Sequence, residues 1–257
     1  MYFHHKFDHE FVGSPAATRS LVVCSSPRSG SSLLCEYLCL SGRAGAPTEF
    51  FDDEQMARFA GLWNCHGLDQ YVAALLSKKT SPNGVFATKL HFGQFTAVLG
   101  SRRLEELLPS VQYIWMRRRD RLRQAISYAR AMQTHAWASM HQSRATASYD
   151  RALIEQMLAR VAQEDDGWRS WFERNGITPL QVEYEELIEA PLRVLQRILA
   201  TVGEHWQDMD GMPEPTLERQ SDESTEHWLS RFLSDSSLGP GIATARASNM
   251  TEEASEA

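Results

Sequence analysis

A loop of small residues containing one arginine follows the first apolar run of the chain. The run covers residues 21–25, a helical pattern continues after the loop, and the loop reads Ser26-Pro27-Arg28-Ser29-Gly30-Ser31-Ser32. A strand that enters a helix through such a loop directs several backbone N–H groups and the positive end of the helix dipole to one point, which suits phosphate or sulfate. We therefore predict an anion-binding loop; a Ser-rich turn without a ligand is the alternative.

The loop lacks the lysine of nucleotide triphosphatases. When the second Gly of the pattern G-x-x-x-x-G-K-[ST] is laid on Gly30, Ser25 stands at the first Gly and Ser31 at the Lys. Positive charge beside the ligand would then come from Arg28, whose planar guanidinium binds oxyanions through two N–H groups. The predicted anion contacts are Ser26, Arg28, Ser29, Gly30, Ser31 and Ser32.

A second basic cluster follows another apolar run. Residues 111–116 read as a buried strand, and five arginines occupy the seven positions 117–123. In open α/β sheets, ligands bind beyond the carboxyl ends of the strands, so this cluster and the loop can face one polyanionic ligand together. At 3.6 residues per turn, Ser127 on the following helix lies within reach of the same site. We expect most of these arginines to be solvated, and we assign function to Arg118 and, second, to Arg119.

The elements that must position these residues alternate between strands and helices, which predicts βαβ units and a largely parallel sheet. The predicted strands cover residues 21–25, 85–90, 111–116 and 180–184. The predicted helices cover residues 31–41, 54–63, 69–76, 121–137, 149–174 and 192–202. We expect an α/β fold of three layers, α/β/α, with a mostly parallel sheet and a P-loop-like anion loop.

Composition limits the classes of protein. Hydrophobic residues make up 42% of the 257 residues, and 26 basic against 33 acidic residues give a net charge of −7, so we expect a globular protein that does not bind nucleic acid. No apolar stretch is long enough to span a bilayer and no signal peptide is evident, so we expect a cytoplasmic protein. The four cysteines lack zinc-ligand spacing. We predict a flexible arm over residues 1–19, one domain over residues 20–235 and a disordered tail over residues 236–257.

Taken together, the motifs resemble the bacterial trehalose sulfotransferase family. The loop resembles the 5′-phosphosulfate loop of sulfotransferases, and Arg118 with Ser127 resembles their 3′-phosphate pair. Further motifs of the same family follow in order along residues 20–235: Ala-Pro-Thr-Glu-Phe-Phe at 46–51, Pro-Asn-Gly-Val at 82–85, Lys-Leu at 89–90, Gln-Ala-Ile-Ser at 124–127, Arg-Ala at 130–131, Gln-Thr at 133–134, Gly-Trp-Arg at 167–169, Leu-Glu-Arg-Gln at 217–220 and Trp228.

This resemblance implies the cofactor and the acceptor. The sulfuryl donor would be 3′-phosphoadenosine 5′-phosphosulfate (PAPS), with its product PAP, and the acceptor a hydroxyl of a carbohydrate or glycolipid. The loop at residues 217–220 would cover the nucleotide, with Arg219 near the 3′-phosphate. Residues 52–83 depart from the trehalose pattern, so the acceptor stays open, as does a homodimer.

The resemblance places the general base at Glu49, and the sequence offers His91 as a second candidate. We expect neighbouring aromatic residues to raise the pKa of Glu49 toward the working pH. Alternation along a strand puts Lys89 and His91 on one face. We assign the base to Glu49 and acceptor placement to His91, while Lys89 neutralises charge on the sulfonate or leaving group or pairs with an acid. We predict an enzyme that needs no metal.

Two other functions compete with a sulfotransferase. One is a P-loop-type small-molecule kinase, which the residue at position 31 disfavours because a kinase loop needs Lys there. The other is a catalytically inactive nucleotide-binding or interaction module of the same fold. The inactive module is disfavoured because the sequence keeps all of the residues assigned to the chemistry: Arg28, Glu49, Lys89, Arg118 and Ser127.

Overall fold

The computed structural model describes residues 9–11, 13–99, 104–137, 146–206, 215–217 and 223–236. Four strands are present in this part of the chain: β1 (Arg19–Ser25), β2 (Val85–His91), β3 (Val111–Arg117) and β4 (Leu180–Glu183). Its helices are α1 (Ser31–Leu40), α2 (Asp53–Leu62), α3 (Leu68–Lys79), α4 (Phe92–Leu99), α5 (Leu104–Leu107), α6 (Arg121–Thr134), α7 (Arg151–Asn175), α8 (Tyr184–Glu189), α9 (Pro191–Thr201) and α10 (Glu223–Ser236).

The four strands form one parallel sheet in the order β2-β1-β3-β4. Strand β1 is central: Ser25 lies opposite His91 of β2 on one side and Met116 of β3 on the other. The carboxyl ends of these three strands therefore meet at one edge of the sheet. The anion loop, His91 and the arginine cluster all leave the sheet at this edge, as the sequence predicts.

Alternation along β1 builds two cores, one on each face of the sheet. Leu21 and Val23 pack in one apolar cluster with α1 and α9, whereas Val22 and Cys24 pack in the other with residues of α2, α3 and α7. This period of two is what a strand buried on both faces produces. The predicted α/β fold with three layers and a mostly parallel sheet is confirmed.

A third apolar cluster joins α6, α7 and α10 beside the sheet. It contains Ile126 of α6, Val161 of α7, and Trp228 and Phe232 of α10, all of them buried. The helix that carries Ser127 is thereby held between α7 and the last described helix of the chain.

Several predicted elements differ from the structure. Strand β4 ends at Glu183, and Tyr184 begins α8 rather than ending the strand. Helix α6 ends at Thr134, because His135 takes a left-handed conformation with φ 55° at the C-cap. The prediction missed helices α4, α5, α8 and α10, of which the first three have at most eight residues and show less than three turns of helical pattern.

Backbone contacts tie residues near the amino terminus to the sheet domain. The N–H of Phe11 donates to the carbonyl of Lys78 at 2.8 Å, and the N–H of Thr18 donates to that of Gly84 at 2.9 Å. The division into arm, domain and tail stays a prediction. Within the described residues no helix is both long and apolar enough to cross a bilayer, and the four cysteines, all described, form no disulfide.

Candidate active site

The anion loop has the geometry of a ligand cradle. Gly30 is the N-cap of α1 with φ 92° and supplies no side-chain cap, so the first-turn N–H groups of α1 are left for a ligand. A Cβ at Gly30 would lie 2.3 Å from Cδ2 of Tyr184, so only glycine fits beside this ring. The hydroxyl of Ser29 is buried and has no hydrogen-bond partner among the described residues. These features fit an oxyanion bound at the loop.

Buried polar side chains hold the loop in place. The Nε2 of Gln124, on the first turn of α6, donates to Ser26 Oγ at 3.0 Å and to the carbonyl of Pro27 at 2.8 Å. Asp165 of α7 hydrogen-bonds Ser26 and pairs with Arg121 at 3.0 Å; burial raises the pKa of Asp165, and these two contacts oppose the rise. The loop therefore keeps its shape through contacts with α6 and α7.

Three arginines lie close together around the loop. Arg28 adopts a left-handed backbone with φ 65°, and its Nε donates to Ser127 Oγ at 3.0 Å while its Nη1 donates to the carbonyl of Trp137. Burial, followed by the charges of Arg118 and Arg130, lowers the pKa of Arg28 to about 10. Since cations that crowd one another bind an anion favourably, this cluster suits a multiply charged ligand.

The sequence placed Arg118 and Ser127 at this site, and the structure brings both of them to it. The guanidinium of Arg118 lies 4.7 Å above the centre of the Tyr184 ring, and the same ring packs on Gly30. Tyr184, at the start of α8, thus links the loop to the arginine cluster. The nucleotide contacts assigned to these residues stay a prediction.

The other arginines of the 117–123 segment interact elsewhere. Arg117 lies over the ring of Trp115, and Arg123 donates to Glu226 through both of its terminal nitrogens. Arg119 is 62% exposed, and its Nε lies 3.7 Å from Glu185. Arg118 is therefore the better candidate of the two arginines that the sequence proposed.

Glu49 lies at the centre of a polar cluster at the end of β2. Its Oε1 is 2.7 Å from Lys89 Nζ, and its Oε2 is 2.6 Å from Gln94 Nε2 and 3.7 Å from His91 Nε2. Alternation along β2 puts Lys89 and His91 on one face, as the sequence predicts, and both side chains lie against this carboxylate. Both candidate bases are therefore in one site.

The predicted rise in the pKa of Glu49 is wrong. Burial acts to raise this pKa, but the charges of Lys89 and His91 and the hydrogen bonds from Lys89 and Gln94 outweigh it and hold the pKa well below its usual range. Phe50 and Phe51 are fully buried in the core beside the sheet, and the polar groups around the carboxylate, not these rings, set the direction of the shift. Glu49 is thus ionised at neutral pH in this structure.

Lys89 connects Glu49 to the anion loop. Its Nζ donates to Ser32 Oγ at 3.0 Å while it pairs with Glu49, and its side chain is only 5% exposed. One ammonium group therefore lies between the loop and the candidate base, where it can serve either of the two roles that the sequence left open.

His91 is oriented by the end of β1. Its Nδ1 lies 3.1 Å from the carbonyl oxygen of Ser25 and 3.2 Å from the Ser25 hydroxyl. The carbonyl accepts only, so Nδ1 carries a proton and donates to it, and Nε2 lies on the side of Glu49. Burial lowers the pKa of His91, Lys89 adds to this effect, and Glu49 opposes it.

The sequence analysis missed three polar contributors: Gln94, Glu36 and Tyr184. Glu36 of α1 is buried and accepts hydrogen bonds from the N–H and hydroxyl of Thr216, at 2.8 and 2.7 Å, and from the N–H of Leu217 at 3.0 Å. The segment before the predicted nucleotide-covering loop therefore lies against the helix of the anion loop. The rest of that loop, residues 218–220 with Arg219, lies outside the described residues.

The described part of the chain contains no group of three or more His, Cys, Asp or Glu side chains arranged to hold a metal ion. Positive charge next to the loop comes from Arg28, Arg118 and Lys89.

Comparison with known proteins gives a family. The sequence model of the Stf0 sulphotransferases matches residues 20–235. A trehalose 2-sulfotransferase of Mycolicibacterium smegmatis is 29% identical over 254 residues, covering 83% of this chain and 94% of the relative. A trehalose 2-sulfotransferase of Mycobacterium tuberculosis is 28% identical, covering 85% of this chain and 96% of the relative. Among solved structures, the sulfotransferase domain of the Synechococcus PCC 7002 olefin synthase shares 18% identity over 77% of each chain, with a TM-score of 0.45.

Proposed function

Since the chain belongs to the Stf0 sulphotransferase family, we propose that this sulfotransferase uses PAPS as its donor and a carbohydrate hydroxyl as its acceptor. A trehalose-like sugar or a glycolipid is the acceptor class we propose, because two relatives that align over most of this chain are trehalose 2-sulfotransferases. The kinase and the inactive module are not favoured by this family membership.

The loop and the arginine cluster would hold the donor. The first-turn N–H groups of α1, the Ser29 hydroxyl and Arg28 are proposed to bind the 5′-phosphosulfate, which the N-cap geometry and the buried hydroxyl without a described partner support. Arg118 and Ser127 are proposed to bind the 3′-phosphate, with Arg219 contributing from the segment that follows Leu217. When bound, PAPS supplies an activated sulfuryl group with PAP as its leaving group.

The transfer of the sulfuryl group would depend on three side chains, Glu49, Lys89 and His91. A bond forms between the acceptor oxygen and sulfur, the bond between sulfur and the phosphate oxygen breaks, and PAP keeps the electron pair. Glu49 takes the proton of the acceptor hydroxyl. Lys89 neutralises charge that develops on the departing phosphate, and the Nε2 of His91 hydrogen-bonds the acceptor.

One observation carries this proposal: Lys89 Nζ contacts both the hydroxyl of Ser32 in the anion loop and the carboxylate of Glu49. A single side chain therefore spans the distance between the anion-binding helix terminus and the candidate base. In-line transfer requires donor and base to lie this close. A nucleotide-binding module without chemistry has no need of an ionised carboxylate at this place.

The experiment is a transfer assay with sulfur-35-labelled PAPS. The purified protein is incubated with trehalose, other disaccharides and extracted glycolipids, and labelled products are separated by chromatography. A thermal shift measured in parallel should show stabilisation by PAP and not by ATP with Mg²⁺. Stabilisation by ATP with Mg²⁺ alone would favour the kinase. If no acceptor becomes labelled and PAP does not stabilise the protein, the proposal is overturned.

A further inference from the structure

Gln94 on α4 makes three polar contacts around the candidate base. Its Oε1 accepts the backbone N–H of His91 at 3.0 Å, and its Nε2 lies 2.6 Å from Glu49 Oε2 and 3.4 Å from Asp52 Oδ2. Because the His91 N–H can only donate, the Gln94 oxygen must face it, and the NH₂ group must face the two carboxylates. The orientation of this amide is therefore fixed by the backbone.

Two contacts with α7 fix the helix that carries Gln94. The carboxylate of Glu164 accepts the N–H of Phe92 at 2.7 Å and that of Gly93 at 3.3 Å, and so caps the start of α4. The ring of Phe92 packs against Gly167, where a Cβ would lie 2.4 Å from the ring. Helix α4 is thus docked on α7 without depending on Gln94 itself.

Resting on the proposed function, we propose that Gln94 is a positioning residue that selects which oxygen of Glu49 takes the acceptor proton. Gln94 holds Oε2 by donating to it, whereas Oε1 is bound by Lys89, which also contacts the anion loop. When the donor engages Lys89, Oε1 becomes available and Oε2 stays bound. The base then acts through Oε1, in one orientation.

Gln94 is the uncharged member of the groups around Glu49. The charged and titratable groups that interact electrostatically with this carboxylate are Lys89 and His91 from β2, Arg28 from the loop, Cys35 from α1 and Tyr128 from α6, and Asp52 lies across the Gln94 amide. Glu164 of α7 faces His91. A hydrogen bond from an uncharged amide stabilises the ionised carboxylate without adding a second cation.

The test uses two substitutions that distinguish the hydrogen bond accepted by the Gln94 oxygen from the one donated by its NH₂ group. Gln94→Leu removes both the acceptor and the donor. Gln94→Glu keeps an oxygen for the His91 N–H but replaces the donor to Glu49 by a carboxylate. Gln70→Leu and Gln70→Glu are the matched controls, because Gln70 Oε1 accepts the N–H of His66 at 2.8 Å in the same way, at an exposed position of helix α3.

Turnover, the KM for PAPS and PAP affinity are measured between pH 5 and 9. Both Gln94 variants should lose roughly tenfold or more in kcat, as expected for misplacing a general base, with PAP affinity and the KM for PAPS unchanged. In Gln94→Leu this loss of kcat should not change with pH over the measured range, because the lowered pKa of Glu49 keeps the carboxylate ionised throughout it. Both Gln70 controls should behave as the wild type does.

Two results would overturn the role of Gln94. One is a Gln94→Glu enzyme with at least half of the wild-type kcat at neutral pH. Activity would then need only an acceptor for the His91 N–H and not the hydrogen bond from Gln94 to Glu49. The other is a parallel loss of PAP affinity and kcat, which a purely structural defect produces. In both cases the proposed function still stands if the wild-type enzyme is active and Glu49→Gln abolishes that activity. If the wild-type enzyme transfers no label from PAPS, the proposed function itself is wrong.

Discussion

The choice between Glu49 and His91 as general base is decided by two substitutions of similar size. Glu49→Gln removes the proton acceptor and keeps the shape of the side chain. His91→Asn removes the Nε2 lone pair, while its NH₂ group can still donate to the carbonyl of Ser25, which lies 3.1 Å from the wild-type Nδ1. Losing a general base costs about 10²–10⁴-fold in rate. We expect this loss in kcat for Glu49→Gln and roughly tenfold or less for His91→Asn, since an oriented hydrogen bond is worth about 1 kcal/mol.

Glu49→Gln also has a cost in stability that must be separated from the loss of rate. It leaves Lys89, whose side chain is 5% exposed, without its carboxylate partner. Breaking a fully buried pair costs about 3–5 kcal/mol, and because the Glu49 side chain is 29% exposed, we expect about 2 kcal/mol. For a chain of this size, that lowers the Tm by about 4–8 °C.

The assay is kcat at saturating acceptor and PAPS, measured well below the Tm of each variant, with PAP affinity determined by calorimetry. Glu49→Gln should keep or improve its PAP affinity, because Lys89 is released to meet the anion. If His91→Asn lowers kcat more than Glu49→Gln does, the two roles must be exchanged. If neither variant lowers kcat by tenfold, the base is neither residue and the reasoning fails.

The remaining predictions concern the donor site and acid stability. Arg118→Ala should weaken PAP binding by ~1.5–3 kcal/mol in calorimetry, with the exposed Arg119→Ala as control; a loss confined to Arg119→Ala would shift the assignment by one residue. Arg219→Ala should weaken PAP binding at least threefold in the same assay. Arg231→Ala is the control and should leave PAP binding unchanged, because the guanidinium of Arg231 lies over the ring of Tyr149. Glu49, with its lowered pKa, contributes stability that is complete above pH 4.5, its ordinary value, and declines below it; urea titrations should show a shallower decline below this pH in Glu49→Gln.

Much of the fold was predictable because its signals are local. The four predicted strands correspond to β1 through β4, with ends that differ by up to two residues, since buried parallel strands read as short apolar runs. Short helices were missed, because a single turn or two cannot show a helical period. Helix α10 was also missed, although Trp228 and Phe232 place it firmly on α6 and α7. A test that removes the chain after residue 215 would therefore expose this core as well as remove the proposed nucleotide contacts, so Arg219→Ala is the cleaner variant.

The candidate site likewise combines features that the sequence shows with features that only the folded structure shows. The loop, the arginine run and the spacing of Lys89 and His91 are sequence patterns, and the parallel sheet alone brings them to one edge. Gln94 has no pattern of its own: it matters because α4 turns back from β2 and Glu164 of a distant helix caps its first turn. The direction of the Glu49 pKa shift was mispredicted for the same reason, since the sequence shows the aromatic neighbours but not that Lys89, His91 and Gln94 converge on the carboxylate and outweigh its burial. A polar residue at this site therefore acquires its role from what the fold places against it, and that is why substitutions at positions 94 and 49 must be read together.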